Sequence, residues 1–356
     1  MLDVSLLRPH DLTTEHEAAW QAARASDPLY RSPFFSLGFL KAVAANRDDV
    51  CIAVISSEGA QSSFLPFHRR GTRGAALAAP ISDYQGPIGL LPEAGDLRDL
   101  LKQCGLDCYD YDHALADVPE LRRHAFSLTR SPLIDLGDGF DAWRAERRQA
   151  GSALKTVERK MRRMAKDLGP LTFVANDPSK EAWQTFLSWK RAALAAMNVS
   201  FILDRNWARA VIETIRSTNT ESFAGLFSTL YAGERLVAAH FGMRSDRAWH
   251  WWFPAYDPEL SSYSPGLALL FECARHGADL RLAELDLGRG TERYKLEFSN
   301  AHRALCEGSI ERAWTWCGIT RIARRHLHLG ISGRTPERFV ELNRRAMNRL
   351  LRAGKL

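Results

Sequence analysis

No run of about eighteen apolar residues occurs in this 356-residue chain, so it contains no segment with the length of an apolar membrane-spanning helix. Its first residues, MLDVSLLRPHDLTTEHE, lack the basic-then-apolar order of an export signal, and Asp3 and Pro9 interrupt their short apolar stretch. A cytoplasmic protein without a transmembrane segment is the expectation. Six cysteines are scattered at 51, 104, 108, 273, 306 and 317. Cys104 and Cys108 are a close pair, but no second pair or histidine cluster follows at zinc spacing. No metal is expected, and the thiols read as reduced and buried. A GxSxG elbow, a Walker A run and a GxGxxG after a strand are all missing. Their absence disfavours Ser-His-Asp hydrolysis, nucleotide hydrolysis and dinucleotide redox chemistry.

What is present is enough to build real cores: 46% of the residues are hydrophobic and 10% aromatic. At 356 residues the prior is two domains. The net charge of +6 is local rather than spread. Residues 319–356 carry ten Lys and Arg against Glu337 and Glu341, a balance of +8 that leaves −2 for residues 1–318. Residues 144–166 carry nine basic side chains against Glu146 and Glu158, or +7. Such stretches either solvate a helix or meet an anionic surface or tRNA.

Hydrophobic periodicity arranges the chain as two αβ segments around the basic stretch. In the first, PFFSLGFLKAVAAN is helical, VCIAVISSEGAQSSFLPFHRR is strand, turn, strand, and LDCYDYDHAL alternates as a strand. Pro80–Gly89 is loop-rich. Residues 141–168 follow as a long polar helix closed by Gly169-Pro170. Then come the strand LTFVAND, two helices, and a meander of three strands over 222–257. The helix SPGLALLFECARHGA and the strand AELDLG complete a parallel crossover. Both halves thus show helix, hairpin, strand, helix, strand. The expected fold class is α/β with a mixed sheet in two lobes. The expected domains are residues 1–140, residues 141–318 with the basic helix at their start, and a basic helical tail over 319–356.

The densest chemistry lies in Tyr263–Phe298. Ser264 suits an N-cap and Pro265 the first helical position, and Gly266 leaves backbone N–H groups open to a phosphate. The alternative is an ordinary helix start. Asp286 falls at the carboxyl end of the next strand, where ligands bind in αβ sheets. Arg289 between two glycines, then Tyr294 and Lys295, follow within ten residues. A surface loop with ion pairs is the bland alternative. His240, among small strand neighbours, and His250 each read more readily as core residues than as bases.

Three segments, KTVERKMRRMAKDLGPLTF, AAHFGMRSDRAWHWWFPAYDPELSSYSPGLALL and LDLGRGTERYKLEF, resemble the bacterial CelD-type (BcsL-like) acyltransferases of the GNAT superfamily. The likeness is close over about residues 150–300, and the first lobe shares the element order. The resemblance implies two tandem GNAT-like lobes, as in FemAB-type transferases. It implies an acyl-CoA donor, acetyl-CoA above all, with Phe253 to Tyr256 flanking the thioester. Ser264, Gly266 and Leu267 would then meet the pyrophosphate, with Tyr263 beside them. SSYSPG stands where the family has its Arg-x-x-Gly-x-Gly loop. On this basis Asp286 or His240 takes the acceptor proton and Tyr294, or Tyr263, protonates the sulfur, while Arg289 and Lys295 position an anionic group. The acceptor would be a small-molecule or saccharide amine or hydroxyl, in polysaccharide or cellulose biosynthesis. Two alternatives stay open: a FemAB-like transferase fed by aminoacyl-tRNA, and a non-catalytic accessory protein of polysaccharide export.

Overall fold

The computed structural model describes residues 3–56, 62–89, 91, 97–312 and 315. The basic segment 319–356 and Cys317 lie outside the described residues. The N-terminal half runs β1 (Asp3–Leu7), α1 (Thr14–Ala25), α2 (Leu37–Ala44), β2 (Val50–Ser56), β3 (Ser63–Arg70), β4 (Arg73–Ala76), α3 (Leu97–Gln103), β5 (Cys108–Leu115), α4 (Pro119–Arg123) and β6 (Ala125–Asp135). The C-terminal half runs α5 (Phe140–Ala150), α6 (Ala153–Leu168), β7 (Leu171–Val174), α7 (Lys180–Ala196), α8 (Asn206–Arg216), β8 (Phe223–Ala232), β9 (Arg235–Ser245), β10 (Ala248–Tyr256), α9 (Pro265–Asp279), β11 (Glu284–Asp286), α10 (Arg293–Phe298) and β12 (Ala301–Glu311). The polar stretch expected as one helix is two, because Gly151 and Ser152 interrupt it with extended backbone at the glycine. Leu154, Val157 and Met164 form the buried stripe of α6, and its Lys and Arg residues occupy the other faces.

All strands among the described residues belong to one mixed sheet, ordered β1-β2-β3-β4-β5-β12-β6-β11-β10-β9-β8-β7. Each half contains an antiparallel hairpin, a crossover helix and a strand returning parallel: β4 with β5, and β10 with β11. The last strands are exchanged. β6, from the first half, pairs with β11, whereas β12, from the second, pairs with β5. The two exchanged strands pair with each other, Ala301 opposite Leu133 through Gly308 opposite Ala125.

One core runs under both lobes. Phe34, Phe39 and Phe67 share it with Trp183, Phe186, Phe227 and Phe241. A second core beneath α5, α6 and α9 gathers Trp143, Met164, Trp249, Leu269 and Phe298 on the opposite face of the C-terminal lobe. Cys51, Cys104, Cys108, Cys273 and Cys306 are buried free thiols. Among the described residues no helix is long and apolar enough to cross a membrane.

Candidate active site between the lobes

Strand β10 keeps β11 as its neighbour for three rungs, from Ala248–Glu284 to His250–Asp286. There β11 ends while β10 runs on to Tyr256. On the far side β6 is held by β11 at Leu133 to Asp135 alone. The sheet therefore opens into a wedge with β10 on one wall and the residues following β11 on the other. In the N-terminal lobe the equivalent opening is plugged from within. Gln85 takes the place of a strand beside β5, bridging to Ala114, with Gln85 N–H donating to His113 O at 3.0 Å.

A bulge in β10 between His250 and Phe253 shapes the first wall. It diverts the Trp252 N–H, which donates to His240 Nε2 at 3.1 Å. The His240 ring stacks on Trp251 at 4.0 Å, and it leaves no room for a side chain at Gly242, where a Cβ would lie 2.5 Å from it. Burial pushes the His240 pKa well below its ordinary value, so the ring is neutral. Beyond the bulge, Asp257 N–H bonds to Val237 O on β9 at 3.0 Å. By alternation, residues 254 and 256 turn their backbone edges to the wedge. Pro254 has no N–H to offer there, and its carbonyl accepts from Lys190 Nζ, reaching over from α7, at 3.1 Å.

Both halves supply the floor. Asp286, 2% exposed, accepts from Tyr84 OH, from Ser131 Oγ at 2.7 Å and from Gly288 N–H at 2.8 Å. His250 Nδ1 sits 3.5 Å from it. The other ring nitrogen, Nε2, meets Asp83 Oδ2 at 2.8 Å. His113 Nε2 lies 3.8 Å from the same carboxylate, and its Nδ1 lies 3.1 Å from Asp112. Burial works to raise the Asp83 pKa, but the His250 hydrogen bond and the histidine charges outweigh it and lower it. Burial likewise opposes charge on His113, and the bond to Asp112 with the charges of Asp112 and Asp83 overcomes it, raising that pKa. The Asp83 side chain keeps 24% of its surface, and its neighbour Asp112 keeps 35%, so both carboxylates meet solvent at the floor.

The second wall is the turn after β11. Gly288 adopts φ +72°, and a Cβ there would lie 3.2 Å from Asp83. Arg289 donates to Asp112 O at 2.8 Å and pairs with Glu307 at 3.4 Å. Lys295, 7% exposed, donates to the carbonyls of Gly288 and Arg289 at 3.2 and 2.9 Å. Tyr294 packs on the C-terminal core, and burial pushes its phenol far above the ordinary range.

The start of α9 lies at the end of β10. Ser264 is left-handed, at φ 53°, and its side chain caps no backbone N–H. Its Oγ instead accepts from Lys160 Nζ of α6 at 2.8 Å. The N–H groups of Ser264, Leu267 and Ala268 are committed to Ser261 and Ser264 carbonyls, which leaves the N–H of Gly266. A Cβ at Gly266 would lie 3.3 Å from the Tyr256 ring. Tyr263 OH bonds to Asp167 at 2.9 Å, and Arg163 of α6 lies 5.2 Å from its ring.

The structure thus gathers Asp286, Arg289 and Lys295 of the expected set around the wedge, with Phe253 and Tyr256 on the β10 wall. Ser264, Gly266, Leu267 and Tyr263 cluster at the α9 start. His240 braces the bulge from behind. Sequence reasoning passed over Asp83, Tyr84, Asp112, His113, Lys160 and Lys190. The unusual density of Asp, Tyr and His in SDYQ and YDYDH was the available signal for the first four; Lys190 and Lys160 carried none.

Residues 151–296 match the family model of an acetyltransferase (GNAT) domain. Among solved structures, FemX superimposes with a TM-score of 0.54 at 10% identity, covering 86% of this chain and 96% of that one. The C-terminal domain of a putative lysylphosphatidylglycerol synthetase from Agrobacterium fabrum gives 0.48 at 14% identity, over 82% and 91%. A tandem GNAT protein from the clavulanic acid biosynthesis pathway gives 0.47 at 10%, over 87% and 98%. No curated protein matches the chain in sequence. At such identities the likeness is one of fold. The chain is a mixed α/β protein of two tandem GNAT-like lobes, and the acetyltransferase family model matches within its C-terminal half.

Proposed function

We propose that this chain transfers an acyl group from acyl-CoA to an amine or hydroxyl, with the acceptor entering the wedge from the side of the N-terminal lobe. The supporting observation is the parting of β10 from β11 after His250–Asp286, next to the start of α9 and inside the matched acetyltransferase residues. In this reading the acceptor attacks the thioester carbonyl, the new C–N or C–O bond forms, the C–S bond breaks, and the thiol leaves protonated. Asp83 takes the acceptor proton, since it reaches solvent and is backed by His250. Asp286 is saturated with hydrogen bonds from Tyr84, Ser131 and the Gly288 N–H, and holds Tyr84 in place. The thiolate takes its proton from solvent, because Tyr294, the donor expected from the sequence, packs on the C-terminal core and burial makes its phenol a weak acid. Lys160 stands at Ser264 where the family loop carries arginine. The narrower CelD-type kinship would put the acceptor among saccharides.

A second reading changes the donor to aminoacyl-tRNA. It is favoured by Lys155, Arg159, Arg162 and Lys166, exposed on the α6 that delivers Lys160 to the α9 start. Thermal-shift and transfer assays with acetyl-CoA, longer acyl-CoAs and aminoacyl-tRNA separate the two. Acyl-CoA is expected to raise the melting temperature and to turn over, with Asp83→Asn lowering kcat by about a hundredfold or more. No shift at about millimolar CoA, together with salt-sensitive tRNA binding, would transfer the assignment to the second reading.

A further inference from the structure

Lysine ammonium groups stand on both walls of the wedge, and among the described residues neither is ion-paired with a buried carboxylate. Lys190 holds the Pro254 carbonyl on the β10 wall. Lys295 holds the Gly288 and Arg289 carbonyls on the opposite wall. The carboxylate nearest Lys295 is Glu292 at 3.4 Å, and its side chain is 57% exposed. A carbonyl dipole compensates only part of an ammonium charge, and like charges out of water raise the cost. Burial, then the charge of Lys295, brings the Lys190 pKa down to about 8. Asp83 on the floor feels the charge of Lys295 but is itself hydrogen-bonded to His250, and the groups around Lys190 do not relieve the cost. His240 on β9 is held neutral by its burial, His250 on β10 is turned to Asp83, and Arg191 on α7 itself is engaged by Asp204 at 2.8 Å. At residue 254, where Lys190 reaches the strand, the backbone edge facing the wedge is a proline without an N–H, so the donor there is the ammonium.

We propose that Lys190 and Lys295 form a two-ammonium clamp across the wedge for an anionic group of a substrate, a carboxylate or a phosphate. The clamp deepens the acyl-transfer reading, and rests on it only for the identity of the molecule that carries the anion. One anion between the lysines would meet two charge-assisted hydrogen bonds where carbonyls now stand. It would also restore the proton affinity that Lys190 has lost, so that binding takes up protons.

The test is calorimetric titration of the full-length protein, without acyl-CoA, with inorganic phosphate and separately with acetate. It is run at about pH 8.5 in two buffers of different ionisation enthalpy, which counts protons taken up on binding. The wild type is expected to bind at least one of the two anions with proton uptake. Phosphate alone points to a phosphate-bearing substrate, acetate alone to a carboxylate. Lys190→Met is expected to weaken binding about tenfold or more. Lys190→Arg, always charged, is expected to keep the affinity and lose the proton uptake, a split that a merely structural lysine would not show. The clamp is overturned if the wild type binds neither anion, if Lys190→Met binds as the wild type does, or if Lys190→Arg still takes up protons. Anion binding that survives in a protein without acyl-CoA turnover would remove the transfer reading and leave the clamp in place.

Discussion

At the scale of single residues, charge is borrowed from far along the chain. Lys160 precedes Ser264 by 104 positions, yet its Nζ lies 2.8 Å from the serine Oγ at the start of α9. An ammonium at that point adds to the positive end of the helix. If it serves donor phosphate, it acts in the ground state as much as in the transition state. Lys160→Ala is therefore expected to raise KM for acetyl-CoA about tenfold with kcat nearly unchanged, as measured in steady-state kinetics. The histidine–carboxylate chain makes a second residue-scale prediction. His113 has its pKa raised above 6.5, so its stabilisation is complete below that value and is lost as pH rises through the folded pKa. Asp83 and Asp112 have lowered pKa values, and their stabilisation is lost as pH falls through those. The window of full ionisation lies between about pH 4 and pH 6.5. The wild-type melting temperature is expected to decline above that window, and His113→Gln to flatten the decline.

At the scale of elements, β10 carries the site because it is bent at one place and held there. The bulge frees the Trp252 N–H, His240 accepts it, and the ring fills the space over Gly242. A Cβ at Gly242 would lie 2.2 Å from the His250 carbonyl and 2.5 Å from the His240 ring. Neither neighbour can give way, one being backbone of the adjacent strand and the other stacked on Trp251. Gly242→Ala is expected to destabilise the protein by about 3 kcal/mol or more, read from chemical denaturation, and Ala→Gly substitution elsewhere on β9 by much less. This part of the site was half legible in the sequence. The order of β10, α9 and β11 could be read because each follows from local periodicity and from Ser264-Pro265-Gly266. So could the place of Asp286 at a strand end. The bulge could not, since nothing in HWWF shows that the register against β9 slips there. Nor could the place of Asp83, since its partner His250 lies 167 positions away and no local pattern joins them.

At the scale of the whole molecule, the exchange of β6 and β12 ties the lobes more tightly than a linker would. The exchanged strands pair across from Ala301–Leu133 to Gly308–Ala125, and each also completes the other half's sheet. The aromatic core adds to this tie, because Gly38 of α2 lies so close to Phe223 that a Cβ would stand 2.4 Å from its ring. The floor of the wedge is likewise built from both halves, with Tyr84 and Ser131 holding Asp286. Severing the chain in the turn between β6 and α5, near Gly137–Gly139, breaks none of these contacts but separates the pieces covalently. Expressed alone, the second piece would present β11 and β12 with open edges where β6 belongs, and the first would present β5 and β6 without β12. Unpaired central strands expose backbone donors, acceptors and apolar faces to self-association. Each fragment by itself is expected to aggregate, and the two expressed together to form a soluble one-to-one complex, measured by size-exclusion chromatography with light scattering. Two soluble, separately folded monomers would show that the exchanged strands are dispensable. The wedge would then have to be explained from the C-terminal lobe alone.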